Sequence, residues 1–325
     1  MTTENTQILE YKEKIDAIKS EMHRTVIGQE ALIESLLVWV MTNGHILLEW
    51  VPWVAKTLTI DTLSKTLWLD FKRIQFTPDL LPSDLIGTEI YNMGTQNFDT
   101  KKWPLFTNFV LADEINRAPS KVQSALLEAM AEKQITIWDT SYKLPEPFLV
   151  LATQNPIEQS GTYKLPEAEL DRFLLKSTVS YPDKTQERKI LEQIQTRKDY
   201  KTKKIISKKE VLEIQELTQK IHISTNIYDY ITDLVFATRN PLEYDLDGIQ
   251  KYLSYGVSPR WWIALIQASQ AIAFQNGRDF VIPEDVKQIA HESLAHRLVL
   301  NYEAIADEVT AEDIVTQVLE KVKIH

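Results

Sequence analysis

Cysteine is absent from the 325 residues, which excludes disulfides, thiolate nucleophiles and cysteine-ligated zinc and fits a reducing compartment. Long apolar runs are missing too. The opening residues 1–20 are charged and helical in pattern, without the apolar stretch of a secretory signal or membrane span, so the expected location is the cytoplasm. There is no surplus of base: a net charge of −10 and a pI near 5.2 speak against a general nucleic-acid binder, because phosphate backbones are held by excess Lys and Arg. The six histidines do not cluster; His291 and His296 are five apart, off a common helical face, and predict no metal site. What remains, 44% hydrophobic and 25% charged, is ordinary globular composition with length enough for two cores.

Glycine is the most informative shortage. Eight glycines in 325 residues is about a third of the usual roughly 7%, while eight tryptophans stand at 39, 50, 53, 68, 103, 138, 261 and 262. Several occupy places where a turn is due. Gly44 to Glu49 reads as an apolar strand, followed by Trp50-Val51-Pro52-Trp53-Val54-Ala55-Lys56-Thr57-Leu58. With glycine at 50 and 53 this would be a phosphate-binding loop, its bare N–H groups around the phosphates, Lys56 reaching the terminal phosphates and Thr57 holding Mg²⁺. Indole rings there occupy the place of the ligand and deny the backbone its conformational freedom. Likewise Trp138-Asp139, between alternating residues 134–137 and 140–144, stands where Gly-Asp would turn a hairpin.

In chain order, helices are expected over residues 4–24 and 30–41, separated by Val26-Ile27-Gly28-Gln29. Another runs from Lys56 to about Leu67, its N-terminus suited to phosphate. Phe71 to Gln75 is a short strand, and Pro78, Pro82, Gly87, Gly94 and Pro104 punctuate an inserted hairpin with loops. Phe109-Val110-Leu111-Ala112 is a buried strand ending in Asp113 and Glu114, at the strand terminus where open α/β sheets bind ligands. Such a pair alone is most simply two solvated acids. With Lys56 and Thr57 upstream, Asp113 becomes a candidate to hold Mg²⁺ through water and Glu114 to deprotonate the attacking water.

Pro119 opens a helix whose Val122, Ala125, Leu126, Ala129 and Met130 share a face. Phe148 to Thr153 is a further buried strand, leading to Asn155, either a turn former before Pro156 or a residue that positions water. A short helix near 165–173 carries Arg172, a candidate to reach a neighbour's γ-phosphate in a ring. Beyond Tyr181-Pro182 the pattern is helical: a lysine-rich linker near 201–209, then helices near 208–222, 226–240 and 245–254. Arg260 opens a long helix, where a cation is unusual unless an anion lies near.

The segments LADEINRAPSKVQSALLEAMAEKQ, VLATQNPIEQSGTYKLPEAELDRF, YGVSPR and NGRDFVIPEDV resemble signatures of the MoxR family of AAA+ ATPases, over nearly the whole chain. The resemblance implies an α/β fold, a parallel-sheet αβα sandwich over 1–182 with an insertion near 85–103, then an all-α lid over 183–325. It implies a Walker A loop at 50–57, Walker B at 109–114, base contacts at Val26, Ile27 and Gly28, a first sensor at Asn155, an arginine finger at Arg172 and a second sensor at Arg260. ATP and Mg²⁺ are the implied cofactors. A hexameric homo-oligomer, chaperone-like remodelling and clients with a von Willebrand factor A domain are also implied.

Trp50 and Trp53 replace the loop glycines of that pattern. A decayed, nucleotide-free ATPase would have no reason to keep Lys56, Thr57, Asp113, Glu114, Asn155, Arg172 and Arg260 together, and deliberate mutation of the loop would not also reach a remote hairpin. A gene that uses UGA for glycine, conceptually translated with tryptophan, accounts for both the glycine deficit and the turn-site tryptophans. Taken literally, the sequence describes a nucleotide-deficient AAA+ scaffold. A nucleic-acid motor on the same fold is disfavoured by the acidic balance.

Overall fold

The structure, a computed structural model, describes residues 3–50, 56–94, 96–102, 104–155, 161–179, 181–196, 201–258 and 260–324. From the N-terminus come α1 (Thr3–Thr25), α2 (Glu30–Thr42), β1 (Ile46–Trp50), α3 (Lys56–Thr66), β2 (Phe71–Gln75) and α4 (Pro82–Ile86). The hairpin β3 (Gly87–Asn92) and β4 (Asn97–Lys102), β5 (Phe109–Asp113), α5 (Ser120–Glu132), the hairpin β6 (Gln134–Ile137) and β7 (Thr140–Lys143), and β8 (Leu149–Gln154) follow. Then come α6 (Glu167–Leu170), β9 (Leu175–Val179), α7 (Lys184–Thr196), α8 (Lys208–Gln219), α9 (Thr225–Arg239), α10 (Asp247–Gln250) and β10 (Leu253–Tyr255). The chain closes with α11 (Arg260–Gln275), α12 (Pro283–Leu294), β11 (Val299–Leu300), α13 (Tyr302–Ala306) and α14 (Ala311–Lys321).

The chain divides into two compact units that interleave in sequence. One comprises Asp16–Pro166 with Ser177–Leu212; the other comprises Met1–Ile15, Glu167–Lys176 and Glu213–His325. The first is organised on a five-stranded sheet of order β2-β5-β8-β1-β9. β5 and β8 are near-continuous apolar runs because both faces of a parallel sheet are covered, and every residue from Phe109 to Asp113 and from Leu149 to Thr153 is buried. α2 supplies part of that cover: its residues from Leu32 to Thr42 are nearly all buried. Within it, Trp39 lies 4.8 Å from Phe109, ring centroid to centroid, and donates its indole N–H to the Gly44 carbonyl at 3.0 Å. Trp39 is thus a satisfied core residue.

The parallel register decides what meets at the C-terminal edge. Gln75 pairs with Asp113, Ala112 with Ala152, and Glu49 with Gln154. Gln75, Asp113 and Thr153 therefore reach the same level of the sheet. The insertion expected near 85–103 is the antiparallel hairpin β3-β4, paired from Gly87 with Lys102 to Asn92 with Asn97.

Two tryptophans take a left-handed backbone. Trp68, just beyond α3, has φ 49° and Trp138, between β6 and β7, has φ 52°; both are exposed, at 65% and 76%. Side chains other than glycine adopt this region at a cost of roughly 1–2 kcal/mol. At the hairpin, positive φ falls on Trp138 and not on Asp139, the pattern of a turn that takes glycine at its first central position. Elsewhere Trp50 and Trp261 are buried and Trp262 is half-buried, and the indole N–H of each is enclosed without a partner, whereas a buried indole N–H ordinarily finds a partner.

The second unit is mostly helical, with α9, α11, α12 and α14 as its body. Its NGRDFVIPEDV stretch turns out to be a structural anchor. Arg278 donates to both carboxylate oxygens of Asp285, at 2.8 and 2.5 Å, and the same carboxylate caps α12 by accepting from the Ile282 N–H at 2.9 Å. Asp285 is buried, so a bidentate partner is what its burial requires. The helix expected near 245–254 is shorter than its pattern: a 3₁₀ turn and the single turn of α10 lead into β10, which pairs antiparallel with β11. That partner lies some 45 residues downstream, so no local pattern announces it.

Candidate functional site

Lys56, Asp113 and Glu114 converge at the C-terminal edge of the sheet. The Lys56 ammonium donates to Asp113 Oδ1 at 2.8 Å and to the Thr153 hydroxyl at 3.2 Å, and that hydroxyl donates to Asp113 Oδ1 at 2.8 Å. Arg73 donates from Nη2 to Asp113 Oδ2 at 2.6 Å and from Nε at 3.1 Å. Burial alone would raise the Asp113 carboxyl; the Lys56 ammonium, helped by Thr153 and Arg73, overcomes this and holds it below the usual carboxylate range. A carboxylate kept ionised at a strand end, with cations beside it, is chemically suited to a metal and phosphates.

Glu114 has φ 57° and ψ 50°, a left-handed backbone on a residue that is not glycine, and strain of this kind gathers at functional sites. Its N–H donates to the Thr153 hydroxyl at 3.0 Å. Its Oε2 accepts from Gln75 Nε2 at 2.8 Å and lies 3.2 Å from Arg117 Nε. Thr153, fully buried, is thus the hub that sets lysine, aspartate and glutamate relative to one another.

The remaining expected residues divide into four groups. Thr57 is exposed and Leu58 half-buried in the first turn of α3, and Asn155 follows directly on β8. Val26, Ile27 and Gly28 line a cleft of about 610 Å³ together with Gln186 and Lys189, a volume within the ordinary range of ligand pockets. Gly28 has φ +69°, and a Cβ there would meet the Gln186 side chain at 2.2 Å, so glycine is what this wall admits. Arg172, exposed after α6, and Arg260, the first residue of α11, belong to the other unit. Val51, Pro52, Trp53, Val54 and Ala55 lie outside the described residues.

Four site residues escape sequence reasoning: Arg73, Gln75, Arg117 and Thr153. Arg73 and Gln75 alternate on one face of β2, and only the register of β2 against β5 aims them at Asp113 and Glu114. Thr153 reads as one more residue of an apolar strand until β8 is placed beside β5.

Mg²⁺ takes hard oxygen ligands, typically one or two carboxylates with substrate phosphates and water. Asp113 and the Thr57 hydroxyl fit that donor set, and Lys56 fits a phosphate. Trp50 is the member that does not: it is buried, its indole N–H is unpaired, and the Lys56 ammonium lies 5.9 Å from the ring centroid.

The profile of the ATPase family associated with various cellular activities (AAA) matches residues 45–175, and that of the AAA lid domain matches 248–318. Chaperone MoxR1 of Mycobacterium tuberculosis is 45% identical over 302 residues, covering 93% of this chain and 80% of the relative. The chain belongs to the MoxR family of AAA+ ATPases. YeaC of Bacillus subtilis, an uncharacterized member by name, is 42% identical over 304 residues, covering 93% of this chain and 92% of that one. The crystal structure of a candidate ATPase from Cytophaga hutchinsonii superposes with a TM-score of 0.93 at 52% identity, covering 98% of this chain and 97% of that one. The fold of this MoxR-family chain is therefore an AAA domain on a five-stranded parallel sheet, with a helical lid. Among the described residues no helix is long and apolar enough to cross a membrane.

Proposed function

We propose that this chain is a cytoplasmic, Mg²⁺-dependent ATPase whose working form carries glycine at positions 50 and 53. It acts in a homo-oligomeric, hexameric ring as a chaperone-like remodeller of partner proteins, including proteins with a von Willebrand factor A domain. The observation that carries the reading is the convergence of Lys56 and Asp113 through Thr153, with Glu114 held beside them. Family membership supports hydrolysis as the activity.

Mg²⁺, when bound, would supply neutralisation of phosphate charge. Asp113 and Thr57 would hold it, and Lys56 would exchange its present partner Asp113 for the terminal phosphates. Glu114 accepts a proton from the attacking water; Gln75 donates to its Oε2 and the Arg117 guanidinium lies 3.2 Å from the same oxygen, and together they orient the carboxylate. Asn155 orients that water, Val26 to Gly28 cradle the base, Arg260 reads the nucleotide of its own copy, and Arg172 serves the neighbouring copy.

Glycine at 50 and 53 is supported within the loop by the unpaired indole N–H of Trp50, and outside it by the strained φ of Trp68 and Trp138 and the unpaired indole N–H groups of Trp261 and Trp262. The test compares the chain as written with Trp50→Gly/Trp53→Gly, by fluorescent-nucleotide binding and phosphate release. The glycine version should bind and hydrolyse ATP, and the tryptophan version should do neither. Glu114→Gln in the glycine background should keep nucleotide and stop turnover. ATP binding by neither version would leave a nucleotide-free AAA+ scaffold as the reading.

A further inference from the structure

Arg297 is a charged residue sealed inside the helical unit: its side chain is 4% exposed. It sits between α12 and β11, and all three of its donor nitrogens are engaged. Nε donates to Asp171 Oδ1 at 2.8 Å, Nη1 to the carbonyls of Ser293 at 2.5 Å and Leu174 at 3.3 Å, and Nη2 to those of Phe173 at 2.7 Å and Asp171 at 3.3 Å. Four of those five bonds go to residues 171–174, the stretch that contains Arg172. The imidazole of the adjoining His296 adds a contact to the Phe173 carbonyl at 3.3 Å. A guanidinium is the group suited to this, because its planar fork serves several acceptors at once without turning.

The other oxygen of Asp171 faces a different segment. Ser258 donates its hydroxyl to Asp171 Oδ2 at 3.2 Å, and Ser258 stands two residues before Arg260. That segment is fixed in turn: Gly256 packs so closely on α9 that a Cβ would meet the Thr238 carbonyl oxygen at 2.7 Å, and Arg239 donates to the Val257 carbonyl at 2.9 Å. One carboxylate, held by a buried arginine, therefore links the backbone around Arg172 to the backbone that opens α11.

We propose that Asp171 and Arg297 form a positioning pair that couples the two arginines, so that the one offered to a neighbouring copy moves with the one that reads its own copy's nucleotide. Both are positioning residues, since each acts through the backbone of another residue. The proposal rests on the reading of Arg172 as trans-acting and Arg260 as cis-acting. It adds a means by which nucleotide state in one subunit reaches the site of the next, through a discrete pair rather than through general stiffness of the fold.

The experiment uses Arg297→Lys, which keeps the charge and removes the fork. In the chain as written, hydrogen exchange should quicken at the amides of 171–174, by about tenfold or more, while the interior of α11 stays as protected as before. In the version with glycine at 50 and 53, nucleotide affinity and KM should hold and kcat should fall on the order of 10- to 100-fold, the usual cost of a displaced group. Mixing this variant with Glu114→Gln should restore turnover, because the Glu114→Gln subunit supplies a well-placed Arg172 to its neighbour's intact site. Ser258→Ala, which removes a single bond from Asp171, should show the same pattern more weakly, and it carries the test if Arg297→Lys lowers the melting transition of the whole protein. Unchanged exchange at 171–174, or no rescue where Arg172→Ala is rescued by the same partner, overturns the coupling. Failure to rescue Arg172→Ala itself overturns the trans reading and the proposal with it, and is told apart by the arm that fails.

Discussion

At position 138 the order of stability of glycine and alanine should be inverted. Trp138 has φ 52° and is 76% exposed, so most of its side chain lies in water and replacing it tests the backbone more than the packing. Both Trp138→Gly and Trp138→Ala discard the same indole, and their difference isolates the Cβ. In ordinary extended or helical backbone, glycine is the worse of the two by roughly 0.5–1 kcal/mol, because it has more freedom to lose on folding. In the left-handed region a Cβ costs roughly 1–2 kcal/mol, against which that entropy must be set. The net expectation is that Trp138→Gly is the more stable by about 0.5–1 kcal/mol. Trp39, at mid-helix, is the control: there Gly should be less stable than Ala by about 1 kcal/mol. Parallel urea titrations of the four variants, with near-UV circular dichroism to follow the fold, measure both differences. An Ala variant equal to or better than Gly at 138 would refute the claim that this turn is built for glycine.

Three further outcomes are expected. His45 is buried, accepts from the Val150 N–H and contacts the Met130 carbonyl, and burial pushes its pKa down from 6.5 to about 4. The unfolded chain therefore takes up the proton first. Its contribution is intact above pH 6.5 and is lost as pH falls toward 4, to a total of about 3 kcal/mol. His45→Gln, which can donate and accept without titrating, should flatten urea stability between pH 7 and 5, and an unchanged slope would remove His45 from the account. Arg73→Met takes one of two cations from Asp113; for a half-exposed guanidinium that is about 1 kcal/mol, so half-saturating Mg²⁺ in the glycine-bearing, nucleotide-loaded protein should drop about fivefold. An unaltered Mg²⁺ requirement would show that Arg73 does not compete for that carboxylate. Protein purified from its native source should give tryptic peptides with the mass of glycine at 50 and 53, from UGA codons; tryptophan masses, or UGG codons, would end the recoding hypothesis.

Sequence alone determined the order of elements and much of the site's composition. Buried parallel strands carry unbroken apolar runs, so β1, β5 and β8 were legible from composition along the chain, and so were the residues at their ends: Lys56 at the start of α3, then Asp113 and Glu114. Even the backbone demand at Trp138 was visible as an indole where a turn belonged. Tertiary structure decided whatever depends on pairing between distant segments. Register, which no local pattern encodes, brought Thr153 against Asp113 and turned Arg73 and Gln75 toward the carboxylates. The β10–β11 ladder replaced an expected helix because its partner strand lies far along the chain. Arg297 and Asp171, 126 residues apart, share no local pattern in the sequence. Only folding seals Arg297 from water, and a buried charge must find its opposite, which is why their pairing could be seen in space and not in the sequence.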